Sequence, residues 1–226
     1  MKILHLETSS KNCSVAISDG DELLCLCEET SENYKQSESL HTFVEWALEG
    51  AEIKLQDLDA VSLGKGPGSY TGLRIGASSA KGFCYGLRIP LIALNSLETM
   101  IEPFLAQNYD YIIPLIDARR MEVYTAIFDG NSGEMLSETE AKILDETSFQ
   151  EYLDKKILFV GDGATKAKEI LQLPNAEFNE KIYPSAKYLI KKANEKFIKN
   201  DFEDVAYFEP FYLKDFQGIK KKKAQD

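Results

Sequence analysis

Metal-binding side chains are scarce in this sequence. Its two histidines, His5 and His41, stand far apart, and its four cysteines, at positions 13, 25, 27 and 84, form no clustered Cys/His set. That excludes a Cys/His zinc centre, whose ligands recur at short spacing. It also leaves a Cys–His nucleophilic pair without support. Cys25 and Cys27 alternate with Leu24 and Leu26, which reads as one face of a strand carrying small core thiols of a reducing cytosol. Basic residues are outnumbered: 26 Lys and Arg against 37 Asp and Glu give a net charge of -11 over 226 residues. A chain this acidic is poorly suited to bind nucleic acid alone, because phosphate contacts need basic surface. The one dense basic run, residues 220–223, reads as part of a flexible Lys-rich tail from about residue 218. No apolar run approaches the ~20 residues of a membrane-spanning helix. Residues 1–8 reach an acid at Glu7 with no cleavage signature, so neither a signal peptide nor a membrane association is expected, and a cytoplasmic location is.

What is present is ordinary globular composition: 44% hydrophobic and 11% aromatic residues, enough to fill a sizeable core. The chain opens with three strand-like runs, residues 2–8, 13–19 and 22–28, joined by turn residues, and they read as an antiparallel meander. A helix follows over residues 36–51, because Leu40, Phe43, Val44, Ala47, Leu48 and Ala51 form one apolar stripe at helical period. Residues 59–63 read as a strand, the glycine-rich residues 64–72 as a loop, residues 73–85 as a helix, residues 90–94 as a strand and residues 97–106 as a further helix.

The plan then restarts. Setting residue n against n+110 without a gap matches Ile3 with Ile113, Ala16 with Ala126, Ile17 with Ile127, Asp19 with Asp129 and Gly20 with Gly130. Glu7 meets Asp117, acid on acid, and the strand–Gly-x-Gly–helix unit at Gly64-Lys65-Gly66 recurs at Gly161-Asp162-Gly163. Internal repetition of this kind indicates duplication. The expected architecture is a duplicated actin-like α/β fold, shared with sugar kinases and heat-shock ATPases, in two small halves: residues 1–108 and residues 109–226. The second half adds an apolar-basic helix over residues 184–200 and an aromatic-rich extended segment over residues 205–213, with Tyr207, Phe208, Phe211, Tyr212 and Phe216 mostly in the core.

Residues 64–76 are the most informative stretch. They contain no Gly-x-x-x-x-Gly-Lys-[Ser/Thr] phosphate loop, and Ser69 stands where a dinucleotide fingerprint needs its third glycine. The turn at Gly66-Pro67-Gly68-Ser69 either offers backbone amides to an anion or lets the chain reverse tightly against the sheet. Gly72, Gly76 and Ala80 sit four apart, so a second helix can approach closely, from within the chain or from another subunit.

Residues 1–9, the string Gly66-Pro67-Gly68-Ser69-Tyr70-Thr71-Gly72-Leu73-Arg74-Ile75-Gly76 and the string Ile116-Asp117-Ala118-Arg119-Arg120-Met121-Glu122-Val123-Tyr124 together resemble the TsaB family, the dimerisation subunit of the bacterial machinery that makes threonylcarbamoyladenosine beside the tRNA anticodon. Ser37-Glu38 with Leu40 is similar to the family's first-helix signature, with Gln36 where a His is usual. Glu7 stands where the family has Asp, which argues against metal–phosphate chemistry there. The resemblance implies a non-catalytic subunit that pairs with a TsaD-type catalytic subunit and works with a TsaE-type ATPase. It implies that tRNA is met through the complex, and that ATP and metal sit on the partners with no cofactor bound tightly here. The expected interface is on the first two long helices, at Leu40, Trp46, Tyr70, Gly72, Gly76 and Ala80, and the same patch would allow an isolated homodimer. Glu7, Asp117 and Arg119 are candidates for the cleft between the halves, with Asp117 and Arg119 as an ion pair. No catalytic or metal-binding residue is expected. Two other classes remain as alternatives: a nucleotide-dependent enzyme of the sugar-kinase type, to be told apart by ATP turnover, and a glycoprotease-type peptidase, which lacks a nucleophile–base pair.

Overall fold

The computed structural model describes residues 1–31 and 36–214, so the Lys-rich tail and Phe216 lie outside the described residues. Strands β1 (Lys2–Glu7), β2 (Asn12–Asp19) and β3 (Glu22–Thr30) form the antiparallel meander. Helix α1 (Gln36–Gly50) leads to β4 (Ala60–Gly64), and helix α2 (Tyr70–Leu87) leads to β5 (Leu91–Leu94). β4 pairs in parallel with β1, and β5 with β4, giving the order β3-β2-β1-β4-β5. The strand pleat explains why β1 is buried on both sides. Leu4 and Leu6 face one core with Val15, Ile17, Leu40, Phe43 and Val61, while Ile3 faces another with Ala60 and Ile92. Burial of a single Leu or Phe here contributes roughly 1.5–3 kcal/mol. Cys13 and Cys84 are buried, and Cys25 and Cys27 are half-buried at the edge of the first core.

The short helix α3 (Ser96–Met100) ends early, and a 3₁₀ turn at Glu102–Phe104 takes over. This shortens the helix expected to residue 106, because Pro103 has no N–H for a continuing helical ladder. The second sheet contains β6 (Tyr111–Asp117), β7 (Glu122–Thr125), β8 (Phe128–Asp129), β9 (Glu140–Ile143), β10 (Ile157–Val160) and β11 (Ala176–Asn179), with helix α4 (Ala164–Ile170) between the last two. Its order is β11-β10-β6-β7-β9, with β8 beside β6. Matching β6, β7, β9, β10 and β11 to β1, β2, β3, β4 and β5 makes the two orders identical, which is the duplicated actin-like fold. The hairpin registers differ, however. His5 pairs with Ala16, whereas its equivalent Leu115 pairs with Thr125, so the second turn is one residue shorter. The ungapped alignment therefore holds for β1 and β6, and the identities it finds on the following strand are one position out of structural register.

The two sheets lie on either side of the division at residues 108 and 109, but the second half does not keep all of its residues. A 3₁₀ turn at Ala186–Leu189 and helix α5 (Ile190–Ile198) return to the first sheet. They replace the single helix expected over residues 184–200. Leu189 and Ala193 pack on Ile3, Ala60, Ile92 and Leu94. Polar bonds fix the return: Ser185 Oγ donates to Glu28 Oε2 (2.6 Å), Asn12 Nδ2 donates to the Pro184 carbonyl (3.1 Å), and Lys192 pairs with Glu98 (2.7 Å). Farther on, Phe208 is buried in the first core, while Tyr207 is 84% exposed and Phe211 is 38% exposed, so the aromatic segment is mostly surface rather than core.

Candidate functional site

β1 ends on Glu7, whose side chain is fully buried. Its Oε1 accepts the Ser9 amide (2.8 Å) and its Oε2 accepts the Ser96 hydroxyl (3.0 Å). Burial pushes this carboxyl above the usual carboxylate range, with the bonds from Ser9 and Ser96 opposing. Gly64 makes the approach possible, because a Cβ there would overlap Glu7 Oε2. The turn after β1 is equally enclosed: Thr8, Ser9 and Ser10 are all buried. The loop before α2 lies directly on it, with the Ser69 amide donating to the Ser9 carbonyl (2.6 Å) and Thr8 Oγ1 donating to the Gly72 carbonyl (2.8 Å). The glycine segment thus reverses tightly against its own chain, on the turn between β1 and β2.

The equivalent acid of the second half behaves differently. Asp117 is exposed at the end of β6 and pairs with Lys166 (2.8 Å) of α4. Lys166 also donates to the carbonyls of Arg120 (2.7 Å) and Glu122 (3.0 Å). Asp162, pushed up by burial, accepts the Asp117 amide (2.8 Å). Arg119 gives Asp117 its backbone N–H (2.5 Å) and not its guanidinium, so the expected Asp117–Arg119 ion pair is replaced by Asp117–Lys166. Glu7 and Asp117 share no partner. One is sealed inside the first half and the other belongs to a surface turn of the second.

Four of the six expected interface residues face inward. Leu40 and Ala80 are fully buried in the first core. A Cβ on Gly72 would lie 2.0 Å from the Thr8 carbonyl oxygen, and one on Gly76 would lie 2.4 Å from Thr8 Oγ1, so this stripe packs on the β1–β2 turn. Trp46 is 55% exposed, but it faces a groove of about 590 Å³ with Leu26, Cys27 and Phe43, on the β3 side of α1 and away from α2. Tyr70 is half-buried, with its ring 4.8 Å from that of Tyr212 and Arg74 over its face at 4.4 Å.

The outward stripe of α2 is Arg74, Ser78, Gly82, Tyr85 and Gly86. Tyr85 is 85% exposed, and nothing lies within 4 Å of a Cβ on Gly82 or Gly86. α1 abuts this helix through His41, whose Nε2 is 3.2 Å from Ser79 Oγ and whose ring is 5.8 Å from that of Phe83. Sequence reasoning passed over the outward stripe, although the phase was readable: Leu73, Ala77, Ala80 and Cys84 mark the core side, and Gly82 is opposite them. Among the described residues no cluster of three His, Cys, Asp or Glu side chains is placed to hold a metal ion, and no helix is long and apolar enough to cross a membrane.

Comparison with known proteins gives consistent matches. A sequence-family model described as TsaD, tRNA N6-adenosine threonylcarbamoyltransferase, matches residues 28–220. A Bacillus subtilis protein named "tRNA threonylcarbamoyladenosine biosynthesis protein TsaB" is 30% identical over 178 residues, covering 76% of each chain. The Escherichia coli protein of the same name is 29% identical with 98% of each chain covered. A solved structure described as "YeaZ from Pseudomonas aeruginosa" superposes with a TM-score of 0.81 at 24% identity, covering 94% of this chain and 99% of that one, and so shares the fold.

Proposed function

This chain belongs to the TsaB family, and from that premise we propose that it serves tRNA threonylcarbamoyladenosine biosynthesis as a non-catalytic cytoplasmic subunit pairing with a TsaD-type catalytic subunit. The observation that carries this reading is the outward face of α2 beside α1. It presents an exposed Tyr85 next to Gly82 and Gly86, where no side chain among the described residues fills the space. A small-residue helix face flanked by an exposed aromatic suits close helix–helix approach and an anchoring ring. A paralogous partner would bring two equivalent helices and complete a four-helix bundle. The isolated chain would use the same face to form a homodimer at high concentration. A TsaE-type ATPase joins the pair, tRNA is met through the complex, and ATP and metal sit on the partners.

The enclosed Thr8–Ser9–Ser10 turn and the buried Glu7 support the non-catalytic role, since a metal–phosphate centre needs ionised carboxylates open to substrate. Glu7→Gln is expected to leave the modification rate of the reconstituted system within about twofold of wild type. A reaction using this carboxylate as base or metal ligand would lose roughly 10²-fold or more, and such a loss would favour the kinase-like alternative.

The interface is tested at Gly82. Leu there meets no neighbour among the described residues, and replacing an interior helical Gly gains up to about 1 kcal/mol of helix propensity. In the complex the same side chain overpacks the contact at a cost of ~1–3 kcal/mol, or roughly one to two orders of magnitude in affinity. Calorimetric titration of Gly82→Leu with the catalytic subunit should show that loss with an undiminished melting temperature. Lys168→Ala on α4 serves as the control. Wild-type affinity in the Gly82 variant would place the interface elsewhere.

A further inference from the structure

The turn between β6 and β7 contains a costly choice of residues. Arg119 and Arg120 are consecutive and both take left-handed φ, +71° and +53°. That region disfavours any side chain with a Cβ, and Asn and Gly occupy it most readily. The turn itself is held by other groups, namely Asp117 and the three bonds from Lys166. Both arginines are exposed, and among the described residues neither guanidinium has a hydrogen-bond or ion-pair partner. The nearby acids are already engaged: Asp117 by Lys166, and Glu122 by Lys214. Backbone conformation gains nothing from two arginines here, so their charge is what the position uses.

The segment that delivers Lys214 links this turn to the other half. Its Phe211 amide donates to the Lys65 carbonyl (2.8 Å), and the Tyr212 ring packs tilted against that of Tyr70, with Arg74 over the Tyr70 ring and bonded to Tyr212. Arg119 and Lys214 both lie within electrostatic reach of the Tyr124 hydroxyl. The segment thus joins two exposed guanidiniums, without a partner among the described residues, to Arg74 over the Tyr70 ring in one rim, in a chain whose net charge is -11. Flat rings and guanidinium planes stack unpaired bases, and free guanidiniums bind phosphates.

We propose that this rim, formed by Arg119, Arg120, Arg74, Tyr70 and Tyr212, is a contact surface for an unpaired RNA loop presented to the assembled complex. The proposal deepens the reading of the preceding section and rests on it. Arg74 also begins the outward stripe of α2, so RNA held here lies beside the surface offered to the catalytic subunit.

The test uses the complex of this chain with its catalytic subunit and a fluorescein-labelled anticodon stem-loop RNA, titrated at several salt concentrations. Arg119→Asn with Arg120→Gly relieves both left-handed positions while removing both charges. The double variant should melt higher than wild type, bind the catalytic subunit equally well, and bind RNA roughly tenfold more weakly. Loss of two single-strand phosphate contacts, at ~0.7 each, should reduce the salt slope by about 1.4. Tyr212→Leu should weaken RNA binding without changing that slope, since stacking releases no counterions. Unchanged RNA affinity and slope in the double variant overturn the proposal. So does a selective loss of ATPase-subunit binding, which would make the rim a protein surface, and so does an RNA loss matched by loss of the catalytic subunit. A wild-type chain that fails to pair with the catalytic subunit instead defeats the preceding reading, which separates the two failures.

Discussion

Gly76→Leu is expected to destabilise the isolated chain, with weakened partner binding only as a consequence. The Cβ alone would sit 2.4 Å from Thr8 Oγ1 and 3.0 Å from Leu63 Cδ1. Thr8 cannot yield cheaply, because it is fully buried and its hydroxyl satisfies the Gly72 carbonyl. Pushing it aside breaks a buried hydrogen bond, worth ~1 kcal/mol or more, and overpacks the β1–α2 contact by ~1–3 kcal/mol. The helix-propensity gain of about 1 kcal/mol offsets only part of this. A net loss near 1–3 kcal/mol lowers the melting temperature of a chain this size by roughly 2–12 °C. Gly82→Leu, six residues along the same helix, should not melt lower at all. Thermal unfolding by circular dichroism separates the two, and a Gly76 variant that melts with wild type would mean that α2 sits farther from β1 than the structure places it.

That contrast shows which parts of the molecule were legible in the sequence. Local periodicity made α1 readable, since Leu40, Phe43, Val44 and Ala47 are the residues that face the core. It made β1 readable too, because a strand buried on both faces leaves a mostly apolar run, here Ile3, Leu4 and Leu6. Direction was harder. The stripe Gly72–Gly76–Ala80 signals a close approach, but spacing alone does not say whether the approaching surface is the chain's own β1–β2 turn or another subunit. The answer lay in the phase relative to Leu73 and Cys84, which turns Gly82 outward. Non-local events left no local trace. Nothing in residues 184–198 marks them as the cover of the first sheet, since their docking depends on Glu28 and Asn12 from far upstream. The duplication was legible as a pattern and misread in detail, because a turn shortened by one residue changes which residues face each other while composition stays alike.

The candidate site divides in the same way. Glu7 and Asp117 occupy equivalent positions in sequence, yet their environments are opposite. Ser96, Ser9 and Gly64 enclose the first, while Lys166 and solvent hold the second. Burial is decided by what packs on a strand end, and for Glu7 that is the loop before α2 together with the start of α3, neither of which is close to it in sequence.

His5 should make the stability of this chain depend steeply on mildly acidic pH. Its ring is fully buried, with Nδ1 2.6 Å from Ser62 Oγ and Nε2 2.8 Å from Ser18 Oγ. Loss of hydration on burial lowers its pKa from 6.5 to about 3. The folded chain therefore holds His5 neutral, while the unfolded chain protonates it below pH 6.5. Between those values the unfolded state binds the extra proton, so stability falls as pH falls, and the contribution is fully present only above pH 6.5. The slope approaches ~1.4 kcal/mol per pH unit, and roughly 2 kcal/mol is gone by pH 5. Glu7 acts in the opposite sense, because its raised pKa lets the folded state take up a proton as pH falls. The test must therefore isolate His5. His5→Gln keeps an amide able to bond both serines but cannot titrate, so denaturant unfolding from pH 7 to pH 5 should show a flatter curve for the variant. The two curves should converge toward low pH, the variant losing about 2 kcal/mol less than wild type over that interval. Parallel curves would mean that the imidazole is solvated or charged in the folded chain, and that the polar layer between the first sheet and α5 is not sealed.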